Sequence, residues 1–395
     1  MQKQFSIPFM TLLLMISFAS VNAVLFTPAL PDIKQFFHLT DDQAQLTMIW
    51  FLTGYALGQL VYGPIANRFG RKPAVYCGVG LQIVSSLICV LSGWLHIYSI
   101  LVAGRFFLAL GSGVGLKMTF TLVNECLDAR AASQKIAYLT LAFAVTPGLA
   151  VALGGVLTAY YGWESCFFAL AAYGLFLLIL TFNLPETLSI KDKNALKITH
   201  LFLAYVRQFR NTTLVSGGLL MGCCSAFVYI FAAVAPFVAI NLMGMNSTEY
   251  GFANLLPPIG LLSGSLSSAR LVRVFPLKKM IGIGIVIAAS GSVIMILAVH
   301  MQLSAIFSIF FPMMFIYYGL CFILANASTI AMHQVDDKSH GSAVMSFLNM
   351  GLATLAVICL GPLTIKATLL PGLFLLVCAL MMVLYQFIGV RTNQI

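Results

Sequence analysis

The chain has 395 residues, of which 61% are hydrophobic and 8% charged, and it carries a formal net charge of +10. Water cannot solvate such a chain as a compact globule, so a lipid bilayer is its natural solvent. Membrane-flanking basic loops account for the positive charge, and no nucleic acid partner is needed to explain it.

A spanning helix needs about 20 largely apolar residues, and clusters of Gly, Pro and charge divide the chain into twelve such runs. A membrane β-barrel is excluded, because its strands would alternate in polarity over about ten residues. Helices satisfy their backbone internally, so an all-α integral membrane fold of twelve transmembrane helices is expected.

Segment one covers 7 to 29 and includes Asn22 and Val24. Its start also resembles a secretory signal ending at Val21-Asn22-Ala23, but the apolar run continues to Pro28, so a retained helix is expected. Thr40 and Gln43 then form a helix-start signature, in which Thr40 caps and Gln43 reaches back. Segment two, 44 to 66, leaves through Gly63, Asn67, Arg68, Gly70, Arg71 and Lys72, and segment three follows at 74 to 94. Segment four, 97 to 121, carries Arg105 and Lys117, with Glu125 just beyond it. Segment five, 135 to 159, holds Pro147, Gly148, Gly154 and Gly155, and segment six spans 163 to 184.

A polar stretch at 189–211 separates two units expected at 1–188 and 212–395. The second unit reads 212 to 236 with Tyr229, 248 to 270 with Pro257 and Pro258, and 277 to 299. It continues with 303 to 330, bearing Tyr317, Tyr318 and Asn326, then 341 to 362 and 367 to 390. Ser247-Thr248-Glu249 follows Pro236 at about the distance at which Thr40 to Gln43 follows Pro28, and Gly264 to Arg270, with Arg273, Lys278 and Lys279, echoes the exit of segment two. The repeat predicts two related six-helix halves with a substrate site between them.

All but four of the 21 Lys and Arg fall at the termini or in even-numbered loops; the exceptions are Lys34, Lys366, Arg105 and Lys117. By the positive-inside bias both termini are expected in the cytoplasm. The nine Cys show no metal-ligand spacing and read as small buried residues. His333 and His340 share a loop with Asp336 and Asp337, and a solvated turn explains them better than a metal site. No nucleophile motif, phosphate loop or cofactor fingerprint occurs, so neither an enzyme nor a cofactor or metal is expected.

The stretch Gly63 to Pro73 resembles the loop between helices two and three of the major facilitator superfamily, Gly-x-x-x-Asp-Arg-x-Gly-Arg-Lys-x. Arg105-Phe106 with Gly111 resembles the motif opening helix four, and Pro147-Gly148 with Gly154-Gly155 the helix-five antiporter motif. Gly162-Trp163, Leu184 to Leu188 and Asn326-Ala327 also fit. Within the superfamily the chain looks most like the Bcr/CflA-like drug:proton antiporters. That resemblance implies a multi-pass protein of the bacterial inner membrane, monomeric, whose partners are a small-molecule substrate and protons or another coupling ion. It also implies that helices one, four, seven and ten line the cavity. The chain departs from the pattern at Asn67, where the family has Asp, at Val24, where relatives carry an acid, and at Leu108 and Val151.

An unpaired intramembrane charge marks function by default. Arg105 is therefore expected at the cavity, the alternative being a structural Arg bonded to backbone carbonyls. Lys117 lines the cavity or snorkels to the interface. Glu125 is a candidate ionisable gate residue beside the plainer reading of a helix-end carboxylate. Asn22, Tyr229, Tyr317, Tyr318 and Asn326 are the polar candidates on cavity helices. The expected activity is secondary transport by alternating access. Its cargo is either a drug-like amphiphile for efflux or, for import or export, an anionic metabolite such as a carboxylate siderophore, because cations without facing acids suit an anion. A non-transporting receptor is disfavoured, since a duplicated gating loop would have no purpose in it.

Overall fold

The computed structural model describes residues 8–127, 129–188, 191, 192, 195, 205–333, 335, 338–360, 363 and 366–388. Most of the 189–211 linker, with Asp336 and Asp337, lies outside these residues. No strand occurs among the described residues, and apart from a short helical stretch at 205–209 their helical segments group into twelve. They are α1 (Phe9–Phe36), α2 (Asp41–Phe69), α3 (Arg71–Leu95), α4 (Tyr98–Cys126), α5 (Ala129–Tyr161) and α6 (Glu164–Thr181). The second half holds α7 (Thr212–Leu242), α8 (Ser247–Ala253 and Leu256–Leu271), α9 (Leu277–His300), α10 (Ile306–His333), α11 (Lys338–Ile358) and α12 (Leu369–Phe387).

Nine of these are long and apolar enough to cross a membrane. The other three are part of the same bundle. α2 is diluted by glutamines, threonines and glycines, α5 contributes the shorter apolar stretch Val145–Tyr161, and α8 is interrupted. Two expected continuous helices are broken. α1 leaves α-geometry after Val24, passes through a 3-10 turn at Thr27–Ala29 and resumes at Leu30, where Pro31 sits in the first turn. α8 restarts at Leu256 with the Pro257-Pro258 pair at its first positions, where missing N–H groups are harmless. The pair lies within the run expected as one helix over 248 to 270, and here it marks a helix start.

The helix-start signature holds, with the Thr40 N–H donating to Gln43 Oε1 at 3.0 Å. Its counterpart in the second half is reciprocal, and Asn246 supplies the cap. Asn246 Oδ1 accepts from the Glu249 N–H at 2.8 Å, while Glu249 Oε2 accepts from the Asn246 N–H at 3.0 Å.

The halves repeat one packing scheme. α4 is flanked by α2, α3 and α1, and α3 lies on α6; six helices later α10 is flanked by α8, α9 and α7, and α9 lies on α12. Close-approach glycines repeat it residue by residue. Gly54 and Gly58 of α2 sit on the backbone of Phe106 and Leu110, and Gly260 and Gly264 of α8 sit on that of Met314 and Tyr318. Gly78 meets Gly111 as Gly284 meets Gly319. Only small residues let helix backbones approach this closely.

The halves join through two seams, α2 on α11 and α5 on α8, which the internal repeat interchanges. One end of the molecule carries Arg68, Arg71, Lys72, Arg270, Arg273, Lys278 and Lys279 and is called the basic face. At the opposite face the outer part of α1 packs against α7 and α8.

Candidate functional site

Arg105 is fully buried, and its role begins with the break in α1. A helix end leaves its last four carbonyls without intrahelical donors. Here the Val21 carbonyl takes the Leu25 N–H at 3.0 Å and the Val24 carbonyl takes the Thr27 hydroxyl at 2.8 Å. Arg105 serves the other two, Nη1 donating to the Asn22 carbonyl at 2.7 Å and Nη2 to that of Ala23 at 3.3 Å. Nε donates to the Thr47 carbonyl of α2 at 3.4 Å. The guanidinium lies between the rings of Phe26 and Phe51, 3.9 and 4.3 Å from their centroids, a favourable setting for a desolvated cation. The carbonyl-bound alternative therefore describes its contacts. Its counterpart in the second half, by the offset that carries Phe106 to Met314, is Met313, so this polar pin exists in one half alone.

Several expected cavity residues converge on the interface between halves. Tyr229 of α7 lies within electrostatic reach of Arg105 and of Tyr55 on α2, and Tyr317 of α10 lies near Tyr229 and Tyr250. Lys117 does not snorkel outward. Its ammonium turns onto α2, above Gly63, and donates to the Gln59 carbonyl at 3.3 Å.

Other candidates sit elsewhere. Asn22 is turned into the first half, where its Oδ1 accepts from Gln82 Nε2 of α3 at 2.8 Å. Asn326 donates to the Phe322 carbonyl of its own helix at 2.7 Å, and the Tyr318 ring leans on Phe322. Glu125 is paired within the first half, its Oε1 2.6 Å from Arg71 Nη2 and its Oε2 accepting from Thr187. These placements follow from which face of an evenly apolar helix a polar residue occupies, and hydrophobic periodicity does not encode that when nearly every face is apolar.

The gating loop is a hydrogen-bonded unit. Gly70 has φ +123°, open to glycine, and a Cβ there would run into the Glu186 carboxylate. Glu186 accepts from the backbone N–H groups of Arg71 at 3.0 Å and Lys72 at 3.1 Å, so it caps the start of α3 from a distance. Arg71 also donates to Asn67 Oδ1 at 2.9 Å and the Ala66 carbonyl at 3.0 Å, and Lys72 to the Phe182 carbonyl at 3.0 Å. Asn67 thus keeps an acceptor where the family has a charge. Arg68 occupies the last turn of α2. Pro64 inside α2 cannot donate to the Leu60 carbonyl. The Tyr205 hydroxyl takes that carbonyl at 3.2 Å, while its ring meets His340 of α11 edge-on at 5.4 Å.

The glycines of α5 form the second seam. Gly148 packs on Asn254 and Pro258 of α8, Gly155 on Ser247 and Gly251, and Gly154 on the Leu25 carbonyl of α1. Pro147 sits inside an otherwise continuous helix. Sequence reasoning missed Tyr55, Gln59 and Gln82; the signal for the first two was their spacing of one helical turn on a segment whose neighbours are apolar.

The family model of the Major Facilitator Superfamily matches residues 12–362. The "Uncharacterized MFS-type transporter YdgK" of Bacillus subtilis (strain 168) is 24% identical over 343 residues, 85% of this chain and 83% of the relative. "Multidrug resistance protein D" of Escherichia coli (strain K12) is 25% identical over 273 residues, 66% of this chain and 64% of the relative. Among solved structures, a D-xylose-proton symporter superposes with TM-score 0.78 at 13% identity, covering 97% of this chain and 96% of that one. The inward-open xylose transporter XylE from E. coli gives 0.77 at 13% identity, with coverage of 98% and 97%. With a family match over most of its length and the same fold at near-complete coverage, the chain belongs to the major facilitator superfamily of membrane transporters.

Proposed function

We propose that the protein exports small amphipathic molecules across the bacterial inner membrane by alternating access, driven by the proton gradient, with the basic face in the cytoplasm. The observation that carries this reading is the pair of interchangeable seams, α2 on α11 and α5 on α8, around a polar interface holding Tyr55, Tyr229 and Tyr317. Halves that touch through two equivalent seams can rock about them and expose that interface to either side in turn. The concentration of Lys and Arg on one face supports its cytoplasmic placement. The names of the multidrug resistance relatives support efflux.

Proton coupling here would not use Glu125, which is committed to Arg71 near the basic face, nor a carboxylate at position 24, where Val24 stands. Export assays in proteoliposomes with an imposed pH gradient test the reading. A fluorescent amphiphile should move against its own gradient and stop moving when a protonophore collapses the pH difference. Transport indifferent to the protonophore would refute proton drive, and binding without any flux would favour a receptor.

A further inference from the structure

The ammonium of Lys117 is set over Gly63, with the Gln59 carbonyl at 3.3 Å as its hydrogen-bond partner among the described residues. On the same turn of α2 the Gln59 side chain is buried, at 4% exposure, and among the described residues its Nε2 donor makes no hydrogen bond of ordinary length and angle, the Tyr55 hydroxyl being its polar neighbour. Tyr55 lies one turn along α2, next to Gln59 and facing Tyr229 of the other half. The nearest acid on α4, Glu125, is held by Arg71 and Thr187. A buried amide donor left unpaired costs about 1–3 kcal/mol, and an ammonium inside a membrane protein without a carboxylate is still more exceptional. Both costs are relieved by one ligand chemistry, an anionic oxygen pair accepting from Nζ and from Nε2.

We infer that Lys117 and Gln59 form a subsite for the carboxylate of the transported molecule, so that the cargo is an anionic amphiphile. This rests on the transport reading above and narrows its substrate. The second half has Ala325 at the position equivalent to Lys117, so the subsite is single and lies against α2 and α4. Gly63 belongs to it for a steric reason, since a Cβ at this position would fall 2.6 Å from Nζ, the movable end of a flexible side chain. Gly63→Ala therefore displaces the ammonium while leaving the helix backbones in place.

The test compares a naphthalene carboxylate with its isosteric primary ammonium, each titrated by fluorescence anisotropy against the protein in phosphatidylcholine nanodiscs. The wild type should prefer the carboxylate. Lys117→Met should weaken carboxylate binding by about tenfold or more, the effect of losing one charge-assisted bond, and leave the ammonium probe unchanged. Gly63→Ala should weaken the carboxylate in the same sense, and Lys117→Arg should retain it. Equal affinity for both probes in the wild type, or equal losses for both in Lys117→Met, overturns the subsite. Competition of the carboxylate by phosphatidylglycerol nanodiscs would assign the donors to a lipid headgroup and also overturn it. If the carboxylate preference holds but no gradient drives flux, the transport reading fails and the anion site stands. If flux proceeds only for the ammonium probe and ignores Lys117, the reverse follows.

Discussion

Arg105→Ala is expected to lower the thermal midpoint of the purified protein sharply and to abolish flux. The substitution leaves the Asn22 and Ala23 carbonyls without donors in a fully buried site. Each unsatisfied buried acceptor costs about 1–3 kcal/mol, and the space between Phe26 and Phe51 would collapse or stay empty. A combined loss of roughly 2–6 kcal/mol is a large share of the stability typical of a folded domain. Arg105→Lys keeps the charge, but a single ammonium cannot reach two carbonyls of a helix end while stacking flat between rings. It should fall between the wild type and the alanine variant in melting point. A variant that melts like the wild type and loses transport alone would show that Arg105 acts on the proton or the cargo; one that also transports normally would leave the buried guanidinium without a role.

Gly155→Leu should have a different signature, because it strikes a seam between halves. Its side chain would meet the Ser247 carbonyl and Gly251 of α8 at the face opposite the basic one. Overpacking costs about 1–3 kcal/mol, here charged mainly to the state in which α5 and α8 touch. A bistable protein responds by changing populations, roughly tenfold for each 1.4 kcal/mol. The variant is therefore expected to fold and to melt near the wild type, yet to lose flux by about an order of magnitude because the face opposite the basic one no longer closes. Gly154→Leu supplies the contrast, since its side chain meets the Leu25 carbonyl inside the first half and should lower the melting point directly. Equal stability losses in the two variants would argue against a movable seam.

The sequence carried the number of spans, the two-half architecture and the helix start at Thr40, because apolar run length and capping chemistry are local. Its turn chemistry also pointed to the gating loop. What it did not carry was direction. Asn22, Arg105 and Lys117 all interrupt apolar runs, and their contacts depend on which face of α1 or α4 they occupy. Nor could the local pattern show that Pro257-Pro258 restarts α8, that Glu186 reaches back to cap α3, or that Tyr205 fills the carbonyl left open by Pro64. Each of those is a contact between segments far apart in the chain. The repeat was visible as motifs, while its strongest expression, paired glycines holding equivalent backbones together, required three dimensions.

Alternating access is the central claim, and distances across the two faces test it most directly. Phe69 at the end of α2 and Val274 beyond α8 are exposed on the basic face, one in each half. His38 and Met301 are exposed on the opposite face, again one in each half. After removal of the exposed Cys77 and Cys359, spin labels at each pair would be measured by pulsed electron resonance in nanodiscs with and without the carboxylate probe, at two pH values. The account predicts two distance populations for each pair that change in opposite directions, one face widening as the other narrows. A single fixed distance at both faces under every condition would contradict it.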